Sequence, residues 1–265
     1  MRSIFRQKLI TRHVLGGTFL KTPSYVNVEI LDSSGLDFIV IDTEHAVFGP
    51  MELDQCILAA RGGKLASLVR LPDARPETIL RVLDMGASGV VIPHIVDAAG
   101  ARAVIASTRY ENGTRGFSNS PRAGGFGAAT IREHVHQSDV TVSVVCQIED
   151  RAGVENIEEI VTVPGIDCLL IGRADLALSY GVFELDDPML EEAIDRIMAA
   201  AARAEVAVGI FLGDASQVDK FLAKGVTLFL IGSDQALLRV GSQSIGKVFQ
   251  NIHAQNVQEL INLES

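Results

Sequence analysis

Eight short apolar or β-branched runs, separated along the whole chain by stretches of helical periodicity, limit the fold more than any other feature of the sequence. The runs are VLGGTFL (14–20), DFIVID (37–42), LASLVRL (65–71), SGVVIPHI (88–95), VTVSVVCQIE (140–149), DCLLIG (167–172), VAVGIFL (206–212) and VTLFLIG (226–232). Between them lie segments such as PMELDQCILAARGG, PETILRVLDMG and PMLEEAIDRIMAAAARA, with Pro or Asp near several starts and Gly after several ends. Strands that are apolar nearly throughout are buried on both faces, as in a parallel sheet covered by helices. Eight such units match the number that closes a (β/α)8 TIM barrel, which is the α/β architecture expected here. A doubly wound open sheet is the alternative, but no GxGxxG follows the first strand. At 265 residues the chain suits a single barrel domain over 1–265. Residues 235–265 are expected to form a C-terminal helical extension that reaches onto a neighbouring subunit, because IGKVFQNI and NVQELINL both carry apolar residues at roughly helical spacing.

Charge narrows the partners. Twenty-three Lys and Arg against 33 Asp and Glu leave a formal charge of −10, which disfavours capture of nucleic acid or an anionic membrane. The start, MRSIFRQKLITRHVLGGTFL, is interrupted by Arg6, Lys8, Arg12 and His13, and no later stretch nears the ~18 apolar residues of a membrane span. A cytoplasmic protein is expected. Cys56, Cys146 and Cys168 are odd in number and set in apolar surroundings, so they read as buried thiols.

In parallel barrels the chemistry sits at the carboxyl ends of the strands. Asp42, Glu44 and His45 follow the second run, Arg70 ends the third, Gln147 and Glu149 end the fifth, and Asp175 lies just past the sixth. Neighbouring strands lie ~4.8 Å apart, so Glu149 and Asp175 can reach one point above the rim. Two carboxylates with open positions suit a hard divalent cation; the plainer reading is that each caps a helix or turn and no metal binds. Gln147 shares the strand face of Glu149. His45, beside Asp42 and Glu44, is either a structural histidine or a general base whose basicity a nearby carboxylate raises. Arg70 needs an anionic partner, which a salt bridge to a helix would also supply. The loop NGTRGFSNSPRAGGFG (112–127), with Arg115 and Arg122, reads as a substrate cover or an exposed linker. IGSDQA reads as a helix cap more than a phosphate seat, because Asp234 would repel an anion. A Schiff-base enzyme would need a desolvated lysine at the mouth. Lys64 precedes its strand, and Lys21, Lys220 and Lys224 are placed in flanks or helices. His13, His94, His134, His136 and His253 have no local partner pattern and receive no role.

The segments GLDFIVIDTEHAVFGP, VRLP, VLDMGASGVVIPHI, TRGF, CQIED and LLIGRADLALSYG resemble the metal-dependent 2-oxo-acid aldolases of HpcH/HpaI type, over nearly the whole chain and in the same order. The resemblance implies a barrel, assembled as a trimer of dimers that exchange C-terminal helices. It implies cleavage of a 4-hydroxy-2-oxo acid to pyruvate and an aldehyde, in the catabolism of aromatic or sugar acids. It places Mg2+, Mn2+ or Co2+ on Glu149 and Asp175, the base on His45 with Asp42 beside it, and enolate stabilisation on Arg70. It further implies that Gln147, Ala174 and Asp175 contact the 2-oxo acid and that Asp84 sharpens the histidine. Asp84 falls near the amino end of the fourth strand, away from the expected mouth, so its partner is expected from an adjacent subunit. Two departures stand out: Arg173 replaces a common proline, and FSNSPRAGGFG differs from the usual loop, which leaves the aldehyde open. The alternatives are a CoA-ester lyase of the citrate lyase β-subunit type, expected to carry added basic surface, and a non-catalytic metal-binding barrel.

Overall fold

The structure is a computed structural model that describes residues 2–263, with side chains described over 4–253. Eight parallel strands close into a barrel in sequence order: β1 (Leu15–Leu20), β2 (Phe38–Asp42), β3 (Ala66–Arg70), β4 (Gly89–Ile92), β5 (Ser143–Ile148), β6 (Cys168–Ile171), β7 (Ala207–Leu212) and β8 (Leu228–Ser233). The helices wrap the outside: α1 (Arg2–Ile10), α2 (Tyr25–Asp32), α3 (Pro50–Gly62), α4 (Pro76–Met85), α5 (Ala98–Thr108), α6 (Ile131–Thr141), α7 (Arg151–Glu155), α8 (Ile157–Ile160), α9 (Arg173–Ser179), α10 (Pro188–Ala204), α11 (Val218–Ala223) and α12 (Asp234–Leu263). No helix among the described residues is long and apolar enough to cross a membrane.

Because side chains alternate along a strand, each run feeds two cores. One face packs against the helices, with Ile39, Ile41, Val69, Val90, Ile92 and Cys146 among its residues. The other fills the barrel with Leu15, Phe19, Phe38, Val40, Leu68, Val91, Val145, Cys168 and Leu170. Helix α1, which no periodicity in the sequence had flagged, closes the amino-terminal end of the barrel. Its Phe5 and Leu9 join the interior cluster, Phe5 tilted against Phe38 at a ring separation of 5.7 Å. Arg6 fastens this plug, its Nη2 2.9 Å from Oδ1 of Asp167, just before β6.

Three elements depart from the sequence expectation. The fifth strand begins at Ser143 and not at Val140, because the capping box of Thr130 and Glu133 starts α6 and its hydrogen-bonded turns run on through Thr141. The fourth strand stops at Ile92, where Pro93 removes a backbone donor and His94 turns into the left-handed region at φ 53°. The stretch RAGVENIEEIV, the helix that Glu149 would cap in the metal-free reading, divides at Asn156 into α7 and α8. All three cysteines are buried and unpaired, as expected, and burial, chiefly, pushes the Cys146 thiol up to about 12. Helix α12 covers the expected extension as far as Leu263, and residues 264–265 lie outside the described residues.

Candidate active site

The site follows from continuing the inward-facing series to the mouth. Two residues beyond the buried Phe19, Val40, Leu68 and Val145 stand Lys21, Asp42, Arg70 and Gln147, and two beyond Gln147 stands Glu149. Polar groups on four strands therefore converge where the apolar filling ends. Lys21, His45, Arg70, Gln147, Ala174 and Asp175 line one cavity of about 160 Å³, with Phe19, Leu170 and Phe211 as its apolar wall.

Asp42 and Arg70 pair directly across β2 and β3. Arg70 donates from Nε to Oδ1 at 3.0 Å and from Nη2 to Oδ2 at 2.8 Å, and its guanidinium lies 4.5 Å from the Phe19 ring centroid. The anionic partner that Arg70 needs comes from the β2 end and not from a helix, since Glu44 Oε2 also approaches Arg70 Nε at 3.3 Å. Oδ1 of Asp42 further accepts the backbone N–H groups of Glu44 and His45, at 3.3 and 3.2 Å, and so fixes the loop that carries the histidine. Burial pushes the Asp42 carboxyl up, but the Arg70 hydrogen bond and charge, the His45 amide and the Lys21 ammonium more than offset it, leaving it below its ordinary value.

Lys21 corrects an expectation. It directly follows β1 at the mouth and is not a remote flank residue: its Nζ lies 3.2 Å from Oδ2 of Asp42. Period two from Gly17 and Phe19 was the signal that marks it as inward-facing.

On the opposite side of the mouth, Gln147 Nε2 donates to Glu149 Oε2, and Gln147 Oε1 is buried without a hydrogen-bond partner. Burial and the charge of Asp175 raise the Glu149 carboxyl above its usual value, against the pull of His94 and Gln147. Among the described residues no group of three or more His, Cys, Asp or Glu is arranged to hold a metal. Glu149 and Asp175 supply two carboxylates, and a buried carboxylate held up in this way is what a nearby cation would relieve. The backbone is cut to leave room. A Cβ on Gly172 would meet Glu149 Oε2 at 2.7 Å and Gln147 Nε2 at 2.9 Å. Two carboxylates beside the unpartnered Gln147 Oε1 are oxygen donors of the kind a hard divalent cation would take, and Glu149 and Asp175 are the residues that would hold it.

His94, to which the sequence reading gave no role, also enters the site. Its backbone N–H donates to Glu149 Oε1 at 3.0 Å, and its Nδ1 lies 2.9 Å from Asp150 Oδ2. The Asp150 hydrogen bond, with the charges of Glu149, Asp150 and Glu44, raises the imidazole above its ordinary value despite partial burial. The left-handed turn at His94 brings its N–H and ring to Glu149 and Asp150 while the ring stays largely exposed, and nothing local in the sequence announces that turn.

His45 is exposed at the rim, its Nε2 3.8 Å from Glu44 Oε2, so the carboxylate nearest its ring is Glu44. Asp84 ends α4 and pairs with Arg115 Nη2 at 2.8 Å, outside the cavity that holds His45. The loop read as a substrate cover or an exposed linker is tied to the outer helices of its own chain. Arg122 bonds Asp54 and the Met85 carbonyl, and Arg115 bonds Asp84 and Ser138. Arg173, which also borders the cavity, donates to Gln217 Oε1 at 2.8 Å and to the Leu185 carbonyl at 2.7 Å, which anchors α9 to two neighbouring loops. In IGSDQA the cap is Ser233, whose Oγ accepts from the Ala236 N–H.

The chain's residues 16–240 match the model of the HpcH/HpaI aldolase/citrate lyase family. A 5-keto-4-deoxy-D-glucarate aldolase of Klebsiella pneumoniae is 32% identical over 248 residues, which cover 93% of this chain and 96% of that protein. A crystal structure of an HpcH/HpaI aldolase/citrate lyase family protein from Burkholderia cenocepacia superposes with a TM-score of 0.87 at 32% identity, covering 93% of this chain and 99% of that one. An HpcH/HpaI aldolase from Desulfitobacterium hafniense gives the same TM-score at 27% identity, over 92% of this chain and 95% of that one. With the closed barrel and the polar mouth built by its strand ends, this chain belongs to the HpcH/HpaI aldolase/citrate lyase family and is one of its aldolases.

Proposed function

We propose that the protein reversibly cleaves a 4-hydroxy-2-oxo acid to pyruvate and an aldehyde through a pyruvate enolate. The observation that carries this reading is the buried Arg70 guanidinium, oriented by Asp42 and facing the same cavity as Gln147, Asp175 and His45. A divalent cation, Mg2+, Mn2+ or Co2+, held by Glu149 and Asp175 would supply Lewis-acid polarisation of the 2-oxo group. Gln147 and the opening residues of α9, Ala174 and Asp175, orient the 2-oxo acid. The first-turn N–H groups there have no acceptor within the helix. His45 takes the proton of the C4 hydroxyl, the C3–C4 bond breaks with release of the aldehyde, the electron pair moves onto the 2-oxo oxygen, and protonation of the enolate at C3 from solvent gives pyruvate. Arg70 stands where that charge develops, so its bond strengthens in the transition state. In condensation the same groups run in reverse, His45 returning the proton to the new alkoxide.

In this reading the active assembly is a trimer of dimers. Exposed Leu237, Leu238, Ile245, Val248, Phe249 and Ile252 on α12 support an exchanged helix packed on a neighbour. Asp84, outside its own chain's mouth, would then act on the His45 of an adjacent subunit. The Klebsiella relative, named for an aldolase of a sugar diacid, favours a place in sugar-acid catabolism in the cytoplasm. A metal-reconstituted screen of 4-hydroxy-2-oxo acids, with pyruvate release coupled to lactate dehydrogenase, tests the reading. Turnover of free acids supports it, and turnover confined to CoA thioesters overturns it in favour of an ester lyase.

A further inference from the structure

We propose that Lys21 is the residue that selects for a carboxylate on the aldehyde half of the substrate. This rests on the aldolase reading above. Lys21 is the inward position after Gly17 and Phe19, at the end of β1. Its backbone is held in place: Asp234, at the start of α12, accepts the N–H of Lys21 at 2.8 Å and of Thr22 at 3.1 Å, and the Asn27 side-chain amide at 3.0 Å. A buried carboxylate from the far end of the chain thus fixes where this side chain leaves the strand.

The ammonium is then steered over the cavity. Its Nζ lies 5.4 Å from the Phe19 ring centroid and 3.2 Å from Asp42 Oδ2, its one carboxylate partner among the described residues. That carboxylate is already bonded by both arms of Arg70 and by two backbone amides. An ammonium has three donors, and Asp42 leaves Lys21 with donors to spare, on a side chain that is 27% exposed. The mouth is polarised accordingly. Glu149 and Asp175 stand on the β5–β6 side, and Lys21 stands across it on β1, beside the cavity wall that also carries His45. When the 2-oxo acid occupies the β5–β6 side, the aldehyde carbon points to His45, and a carboxylate beyond it meets Lys21. Lys21 acts on substrate choice, and the enolate belongs to Arg70.

The test compares two aldehydes of equal length, 4-oxobutanoate and butanal, in condensation with pyruvate by the Mg2+-loaded protein. The wild type should favour the carboxylated aldehyde. Lys21→Met should lose about 10–100-fold more kcat/KM on 4-oxobutanoate than on butanal, the range for a hydrogen bond to a charged group. Lys21→Arg should keep most of the preference. A second readout needs no turnover: calorimetric binding of 2-oxoglutarate against 2-oxopentanoate, where Lys21→Met should erase the advantage of the diacid. Equal losses on both aldehydes, an undiminished diacid preference in Lys21→Met, or borohydride trapping of pyruvate on Lys21 would each overturn the proposal. Absence of any condensation would count against the aldolase reading, while the binding comparison would still decide the role of Lys21.

Discussion

Asp42 and Arg70 form a two-pronged ion pair between the ends of adjacent strands, at 3.0 and 2.8 Å, with the carboxylate wholly buried. The same carboxylate accepts two amides of the His45 loop and lies against the Lys21 ammonium. One buried anion therefore sets the position of three groups at the mouth. Breaking a buried pair by removing one partner costs about 3–5 kcal/mol, because the other charge is left uncompensated. Asp42→Asn should lose stability of that order in urea unfolding. A loss below about 1 kcal/mol, within the range of exposed pairs, would mean that Glu44 alone satisfies the arginine.

The pH dependence of that stability follows from the Asp42 carboxyl, which sits below its ordinary value of 3.8 in the folded chain. The unfolded state binds this proton first as pH falls, so the contribution is complete above the unfolded value and disappears as pH drops through the lower folded one. The stability gap between wild type and Asp42→Asn should be constant from neutral pH down to about 5, and should narrow below about 4. A gap that narrows between pH 6 and 7 would assign the effect to another group.

Gly172 is placed for close approach and not for a turn. An added Cβ would meet the Glu149 Cβ and the ends of both the Glu149 and Gln147 side chains at under 3.0 Å, so one or both must shift. Gly172→Ala should lower kcat/KM by about 100-fold, the scale of a 1 Å misplacement at a reacting centre, while circular dichroism remains that of the wild type. Full activity would show that the two side chains are not required where they stand.

Much of this was legible in the sequence. Eight buried runs and their spacing predict the barrel, and the ends of runs two, three and five deliver Asp42, Arg70, Gln147 and Glu149 to one rim. Lys21 was within reach of the same logic, since period two carries Phe19 inward to Lys21. The apolar run ends at Leu20, however, so Lys21 falls just outside it and reads as a flank. His94 was not legible, because its direction depends on a left-handed backbone after Pro93 that only Glu149 and Asp150 explain. The ties of Arg115 and Arg122 were equally hidden. Both are long-range pairs with α3 and α4, and a glycine-rich loop carries no periodicity from which to infer them.

His45 is expected to carry the proton, and His45→Ala should lower kcat by about 10²–10⁴, the range for a positioned acid or base. The exposed ring makes few contacts, so the melting temperature should hardly move. Wild-type kcat in this variant would transfer the role elsewhere, with His94 the nearest imidazole to Glu149.

The central claim is that Arg70 stabilises a pyruvate enolate with the help of a cation on Glu149 and Asp175. Exchange of the pyruvate methyl protons with solvent deuterium, followed by NMR, tests it without knowledge of the aldehyde. Exchange should fall to background after EDTA treatment and recover on adding Mg2+ or Mn2+. In loaded Arg70→Ala it should be slower by about 10²–10³, the cost of losing one oxyanion donor. Full exchange in the metal-free protein, or a wild-type rate in folded Arg70→Ala, would contradict it.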